Sequence, residues 1–299
     1  MSVVEKYAEF AVSCGTRYHS EDVLHHAKRA LIDWFACTLP GGLEEPAVLM
    51  KRALDEDIGR GKSTLLPQGE RATTRTAALI NGTASHIIEF DDIYRDGLFH
   101  PGAPIISAAL AVAEMTNASG VDLLRAIIAG YEVANSIAEA VNPHHYEWWH
   151  TTATVGFFGA SASAAVLLGL DSEKTGHALA TAGTMAAGLQ QAFRADAMSK
   201  PIHSGRAAEG GVLSALLAKN GVTGAFDILE GERGFGNAMS TNVDWIKSVD
   251  MLENNHSITK ITQKNHAACG HVHAIIDAPV SYTHLRAHET PEHLVCRVL

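Results

Sequence analysis

The chain has 299 residues and a formal net charge of −10, with 46% hydrophobic and 19% charged residues. This composition is typical of a globular protein long enough to bury a substantial core. The acidic balance, without a cluster of Lys and Arg, argues against nucleic acid as a partner. The four cysteines have neither zinc nor redox spacing and indicate a reducing compartment, so we expect a cytoplasmic protein.

Apolar residues recur at helical spacing along most of the chain, between stretches of Gly, Pro and Asn. Ser20 is placed to cap a helix that the Pro-Gly-Gly stretch at 40–42 ends. Further helices are predicted over 73–90, 105–116, 121–141, 152–168, 172–193 and 207–219. No stretch shows the sustained alternation of a strand. The sequence therefore predicts an all-α domain with buried central helices rich in Ala and Gly.

The segment 151–170, TTATVGFFGASASAAVLLGL, has the length of a membrane span. It is built from small residues, lacks flanking Lys and Arg, and has no companion segment. These features favour a tightly packed buried helix over a membrane helix.

The character of the sequence changes twice near the C-terminus. Residues 1–250 form the predicted helical domain, and residues 251–278 contain a strand-like piece leading into a helix, which we interpret as the start of a second, α/β domain. Residues 279–299 differ again, because the codons that would encode most of them resemble a transposase-type sequencing-library adapter. We interpret this last segment as adapter translation and expect the native chain to continue differently.

Four polar clusters interrupt the apolar pattern. The first, EFDDIYRDGLFHPGAP at 89–104, gathers carboxylates and a histidine at the end of a helix, where the helix dipole disfavours negative charge. The others are EWWHTTAT at 147–154, SKPIHSGRAAEGG at 199–211 and KNHAACGHVHAII at 264–276. Taken singly, each is also compatible with a solvated loop, a capping residue or a core histidine.

A metal site is the weaker interpretation of the histidines. His271 and His273 bracket one residue, but that spacing favours a strand and no carboxylate partner is apparent. The chain also lacks a His-Asp dipeptide, which argues against a helical metal-dependent phosphohydrolase. We expect neither a metal nor another cofactor.

The polar clusters together resemble the MmgE/PrpD family, which includes 2-methylcitrate dehydratase, cis-aconitate decarboxylase and iminodisuccinate epimerase. The segments that carry the resemblance, in chain order, are NGTASHIIEFDD, HPGAPIISAALAVAE, WHTTATVGFFGASASAA, KPIHSGRAAEGGVLSALLAKNGVTG, ILEGERGF and CGHVHAIIDA. The resemblance extends over residues 1–278. It implies a helical domain paired with a smaller α/β domain, a cofactor-independent reaction on a small polycarboxylate, and a homodimer.

The resemblance also implies the site residues. Its acid/base residues are Asp91, Asp92, His100 and His150, and its carboxylate-binding residues are Lys200 and Lys264. We add Arg206 to the carboxylate-binding group because it lies near Lys200 in a predicted helix entry.

The predicted reaction is that of a lyase or isomerase. Loss of water, loss of CO₂ and epimerisation all build negative charge on a carboxylate or on its α-carbon, where cationic side chains stabilise it. Histidines, with reference pKa values near neutrality, suit the proton transfers.

Two departures from the family pattern leave the substrate open. Glu89 stands where the dehydratases and decarboxylases have Asp, and Ile93 stands where they have Thr. The alternatives are an epimerase of an aspartate-derived diacid and a non-catalytic, helical ligand-binding relative. Because Lys264 falls in the incomplete second domain, we expect this chain to hold it loosely and to be inactive.

The adapter interpretation has a direct test. We predict that an independent read of the source DNA, primed from flanking genomic sequence, replaces residues 280–299 with a different sequence that continues into an α/β domain. Recovery of the same twenty codons from that read would contradict the interpretation.

Overall fold

A computed structural model describes residues 1–195, 197–254, 256–268 and 270–278, without the side chains of Glu253, Asn254 and His271. The segment with the adapter-like sequence, 279–299, lies outside the described residues, so its interpretation stays a prediction.

Helices dominate the described ranges, and the strands found there form one two-stranded antiparallel sheet, which confirms the all-α expectation. The helices are α1 (Val3–Thr16), α2 (Glu21–Gly41), α3 (Glu45–Ala53), α4 (Thr74–Ile87), α5 (Gly102–Thr116), α6 (Gly120–Val141), α7 (Thr151–Thr154), α8 (Gly156–Leu167), α9 (Ser172–Met185), α10 (Ser199–Lys219), α11 (Phe235–Met239) and α12 (Trp245–Asn254). The strands are β1 (Ile58–Thr64) and β2 (Arg71–Ala72), with Ser63 opposite Ala72 and Thr64 opposite Arg71.

Several predicted helices have different bounds in the structure. The cap of α2 is confirmed, since the Ser20 side chain accepts the N–H of Val23. The helix predicted over 172–193 ends at Met185, and the one predicted from residue 207 already begins at Ser199. The early start includes Pro201, which a first helical turn tolerates because its N–H would have no partner there. The sequence interpretation missed α1, although Ser2 and Glu5 form a capping box at its start.

The segment of membrane-span length is divided between two packed helices. α7 and α8 meet at Val155, and every residue of α8 from Gly156 to Ala165 is buried. A helix that is apolar on all sides belongs in the centre of a helical domain, and α8 packs against α5, α6, α9 and α10. None of the described helices is long and apolar enough to cross a membrane.

Glycines allow α4 and α10 to approach closely. A Cβ added at Gly205 would lie 2.2 Å from both the Leu79 carbonyl oxygen and Thr83 Oγ1, and one at Gly82 would lie 2.8 Å from the Cα of Gly205. The contact brings together the C-terminal end of α4 and the N-terminal end of α10, where two of the polar clusters lie.

The segment that carries Lys264 is anchored on the helical domain. Glu132, buried in α6, accepts hydrogen bonds from the Ser257 N–H at 2.7 Å, the Ser257 hydroxyl at 2.8 Å and the Ile258 N–H at 3.0 Å. Thr262 then exchanges two backbone hydrogen bonds with Ile93, at 2.9 and 3.0 Å. The expected loose attachment of this segment was wrong, because a buried carboxylate caps its first turn from the neighbouring helix.

Crowding at the helix contact leads to a stability prediction. We expect Gly205→Ala to lower the free energy of unfolding by about 1–3 kcal/mol, because the added methyl group must push α4 and α10 apart. Gly120→Ala is the control, since a Cβ there meets nothing within 4 Å. Urea unfolding measures both, and equal midpoints for the two variants would show that the helices separate without cost.

Candidate active site

The first polar cluster forms a short loop between α4 and α5. Glu89 follows the end of α4 with a left-handed backbone, φ 56°, and turns the chain. Tyr94 and Phe99 then pair through their backbones, at 2.8 and 3.2 Å, and both side chains are buried. The loop is therefore held by its own backbone as well as by its neighbours.

Asp92 closes this loop onto the helices behind it. Its carboxyl group accepts the Gly102 N–H at 2.9 Å and the Tyr131 hydroxyl at 2.8 Å. Burial, together with the neighbouring Asp33 carboxyl, raises the pKa of Asp92 well above its usual range. Burial and the charge of Asp91 likewise raise the pKa of Asp33, to about 6.

Asp91 lies at the centre of a group of nitrogen donors. Its Oδ2 is 2.7 Å from His86 Nδ1 and 3.6 Å from His100 Nδ1, and its Oδ1 is 3.7 Å from Lys264 Nζ. Burial alone would raise the pKa of Asp91, but the His86 and His100 rings and the Lys264 ammonium group hold it below its usual range. Asp91 is thus a buried anion stabilised from three sides.

His100 is a neutral, oriented base. Its Nδ1 lies 2.8 Å from the carbonyl oxygen of Asp92. Because a carbonyl oxygen only accepts, Nδ1 carries the proton and Nε2 keeps its lone pair. Burial lowers the pKa of His100 to about 4, although the charge of Asp91 acts in the opposite direction.

His150 brings a second imidazole from the start of α7. Its Nδ1 is 3.1 Å from Nδ1 of His203 on α10, and its ring packs edge-on against Phe193, 4.5 Å between centroids. It also stacks on His86 at 5.5 Å. Burial, reinforced by the other histidines, lowers the pKa of His150 well below its usual value, and burial lowers that of His203 to about 4.

Two lysines meet the carboxylate of Glu89. Lys200 Nζ donates to Oε1, while Lys264 Nζ lies 3.9 Å from Oε2 and donates to the Glu89 backbone carbonyl at 2.7 Å. The Lys264 side chain is fully buried, and Lys200 also lies 4.8 Å above the Phe193 ring. We use the term Asp91 cluster for His86, Glu89, Asp91, His100, His150, Lys200, His203 and Lys264.

The cluster unites residues from all four polar segments of the sequence, so residues predicted as acid/base groups lie together with residues predicted to bind carboxylates. A neutral base, a second imidazole and two ammonium groups are the elements needed to remove a proton beside a carboxylate and stabilise the resulting charge.

Arg206 is the predicted site residue that the structure places elsewhere. It pairs with Glu209, which also accepts from Arg75 at 2.6 Å, and these side chains line a separate surface cleft. Lys200 and Arg206 are six positions apart, about 240° around a helix axis, so they face different sides of α10.

His86 is a member of the cluster to which the sequence assigned no role. It lies in the block NGTASHIIEFDD, five residues before Asp91, and occupies the last turn of α4. Recognising its role requires knowing that the chain turns back at Glu89, which the helical periodicity does not show.

Three side chains of the Asp91 cluster lie close enough together to be compared with a metal site. His86, Asp91 and His100 each offer an atom within 4.8 Å of the others. A cation there would lie beside the Lys264 ammonium group, 3.7 Å from Asp91 Oδ1, so the fit is poor. The rival site at His271 and His273 lies partly outside the described residues, because the side chain of His271 is not described.

Comparison with known proteins finds a family model and several relatives. A family model described as the MmgE/PrpD N-terminal domain matches residues 5–247. The chain is 28% identical over 273 residues to a cis-aconitate decarboxylase-like protein, oryM, of Aspergillus oryzae, covering 86% of this chain and 56% of the relative. It is 30% identical over 243 residues to the cis-aconitate decarboxylase of Homo sapiens, covering 79% and 50%.

A third relative, the cis-aconitate decarboxylase of Mus musculus, is 29% identical over 244 residues, covering 79% of this chain and 49% of the relative. The chain therefore spans about half the length of the curated relatives it matches.

The protonation of the cluster can be measured without a substrate. We predict that His100 and His203 titrate near pH 4 in the folded chain, while the same residues titrate near 6.5 in urea. Between about pH 6.5 and 4 the unfolded chain binds protons that the folded chain does not, so each of these histidines lowers stability as the pH falls. NMR of the imidazole resonances reports both midpoints, and folded-state midpoints near 6.5 would contradict the buried, neutral assignment.

Proposed function

The chain belongs to the MmgE/PrpD family, and we propose that its Asp91 cluster moves a proton at the carbon next to a carboxylate of a small polycarboxylic acid. The observation that supports this most is the convergence of Asp91, His100 and Lys264, which joins a neutral base to a buried ion pair. We assign the chain to the lyases of the family, as the names of its relatives suggest.

In the proposed reaction, Lys200 and Lys264 bind substrate carboxylates through charge-assisted hydrogen bonds. The free Nε2 of His100 takes the proton from the α-carbon, and the electron pair of that C–H bond delocalises into the bound carboxylate. The ammonium groups stabilise this charge in a largely buried setting, where electrostatic interactions are stronger than in water.

Asp91 and Asp92 have different parts in this proposal. Asp91 pairs with Lys264 and holds the His86 and His100 rings, so it supports the groups that contact the substrate. Asp92 has its oxygens engaged by Gly102 and Tyr131, and we assign it to positioning the loop rather than to proton transfer.

His150, neutral before the reaction, first takes up a proton from solvent and then supplies the second proton transfer. In dehydration it protonates the departing hydroxyl group, which leaves as water. In decarboxylation the C–C electron pair stays on the carbon, which takes a proton from the imidazolium. In epimerisation the carbon receives its proton on the opposite face. Dehydration and epimerisation use both imidazoles, whereas decarboxylation breaks no C–H bond and uses only the proton donor.

An epimerase of an aspartate-derived diacid is the second candidate, and a non-catalytic ligand-binding relative is the third. Glu89 and Ile93 favour these alternatives because they depart from the pattern of the dehydratases and decarboxylases. Substrate incubated in D₂O separates them, since an enzyme introduces deuterium at the α-carbon or in the product and a binding protein does not.

Several expectations stay predictions. They are the homodimer, the cytoplasmic location, the second domain from residue 251 and the inactivity of this chain by itself. The structure removes the reason first given for inactivity, because Lys264 is buried and anchored through Glu132. Turnover by the 299-residue chain, compared with a gene product as long as its relatives, decides whether the helical part suffices.

Substitution of the two imidazoles tests the assignment. We predict that His100→Ala or His150→Ala lowers turnover or deuterium incorporation by about a hundredfold or more, the usual effect of removing a positioned acid or base. Candidate substrates are cis-aconitate, 2-methylcitrate and aspartate-derived diacids. The control is His25→Ala on the exposed face of α2.

Circular dichroism and urea unfolding establish that each variant is folded. Turnover by both imidazole variants at the level of the unsubstituted chain would remove His100 and His150 from the mechanism.

A further inference from the structure

Glu89 occupies a place in the Asp91 cluster where a ligand carboxylate is expected. One of its oxygens accepts from Lys200 and the other lies 3.9 Å from Lys264, so a single carboxylate touches both ammonium groups. These are the two cations that the proposed function assigns to substrate binding.

The backbone at Glu89 is unusual for its residue type. Its φ of 56° lies in the left-handed region, which is uncommon for residues other than Gly, Asn and Asp. The conformation directs the chain out of α4, and it lets Lys264 bond the Glu89 carbonyl oxygen at 2.7 Å while the side chain reaches Lys200.

The two ammonium groups of the cluster already face two carboxylates before any ligand binds. Lys200 and Lys264 contribute two positive charges, and Glu89 and Asp91 contribute two negative charges. Burial opposes ionisation of Glu89, but His86 and Lys200 keep its pKa below the usual value, so its carboxylate is charged at neutral pH. The histidines with lowered pKa values add no charge there.

The donors that remain limit how many ligand carboxylates the cluster can hold. An ammonium group has three N–H donors, and each lysine uses at least one on Glu89. Lys264 is also fully buried and lies 3.7 Å from Asp91 Oδ1, so few donors are left for a ligand. A third carboxylate would meet the negative charge of Glu89 or Asp91, and unscreened like charges at contact distance repel strongly.

We propose that Glu89 takes the place of a third substrate carboxylate, so that the cluster binds dicarboxylates and discriminates against tricarboxylates. This inference rests on the proposed function and sets its substrate class. It predicts a different substrate from the one in the names of the relatives, because cis-aconitate has three carboxylates.

The test uses two ligands that differ by one carboxylate. Binding of succinate and of propane-1,2,3-tricarboxylate to the 299-residue chain is measured by calorimetry at pH 7.5 and low salt. We expect the unsubstituted chain to bind succinate about tenfold or more tightly than the tricarboxylate, and Glu89→Gln, an isosteric change, to remove or reverse that ratio. Glu89→Asp, which keeps the charge but shortens the reach, should give an intermediate ratio.

The control for net charge is Glu173→Gln, which removes an equal charge at an exposed position of α9 and should leave the ratio unchanged. An equal ratio in the unsubstituted chain and in Glu89→Gln would overturn the inference and leave the proposed function standing. A gain of affinity for both ligands by the same factor would make Glu89 a general competitor and would also overturn it. No binding of either ligand to any folded variant would overturn the proposed function and the inference together.

Discussion

The burial of one carboxylate, Asp91, organises the rest of the site. A charge removed from water must be paired and hydrogen-bonded, and removing one partner of a buried pair costs about 3–5 kcal/mol. Asp91 meets this requirement with His86 from α4, His100 from its own loop and Lys264 from a segment much later in the sequence. The end of α4 and the loop after it are therefore held to that distant segment by a single electrostatic requirement.

The surrounding scaffold is rigid where the cluster needs it to be. α8 is buried on every side, and the glycines of α4 and α10 bring those two helices into backbone contact. Small residues leave few alternative packings, because a protein interior is filled to the density of an organic crystal. His86 and Lys200 are accordingly attached to helix ends whose positions are set by the core.

The sequence predicted the helical class and most of the cluster, and its failures have physical causes. Lys200, His100 and Lys264 lie in distinctive segments, so the resemblance located them without a structure. The early start of α10 was missed because the helix was predicted only from residue 207, whereas a first turn accepts Pro201. Arg206 was grouped with Lys200 by proximity in sequence, and only the bounds of the helix show that the two side chains face different ways. The role of His86 depends on the turn at Glu89, and the hydrogen bonds of Glu132 join residues 125 positions apart; helical periodicity shows neither.

The attachment of Lys264 has a consequence for the order of assembly. The contact between Lys264 and Glu89 joins residues 175 positions apart, and the hydrogen bond from the Ser257 N–H to Glu132 joins residues 125 positions apart. Contacts of such separation close large loops, whose entropic cost must be met before they stabilise anything. During synthesis, the loop that carries Asp91 leaves the ribosome long before its ammonium partner exists. The site is thus completed only after a segment 175 positions beyond Glu89 has been made, and until then Asp91 has its imidazole neighbours but lacks the lysine that completes its environment.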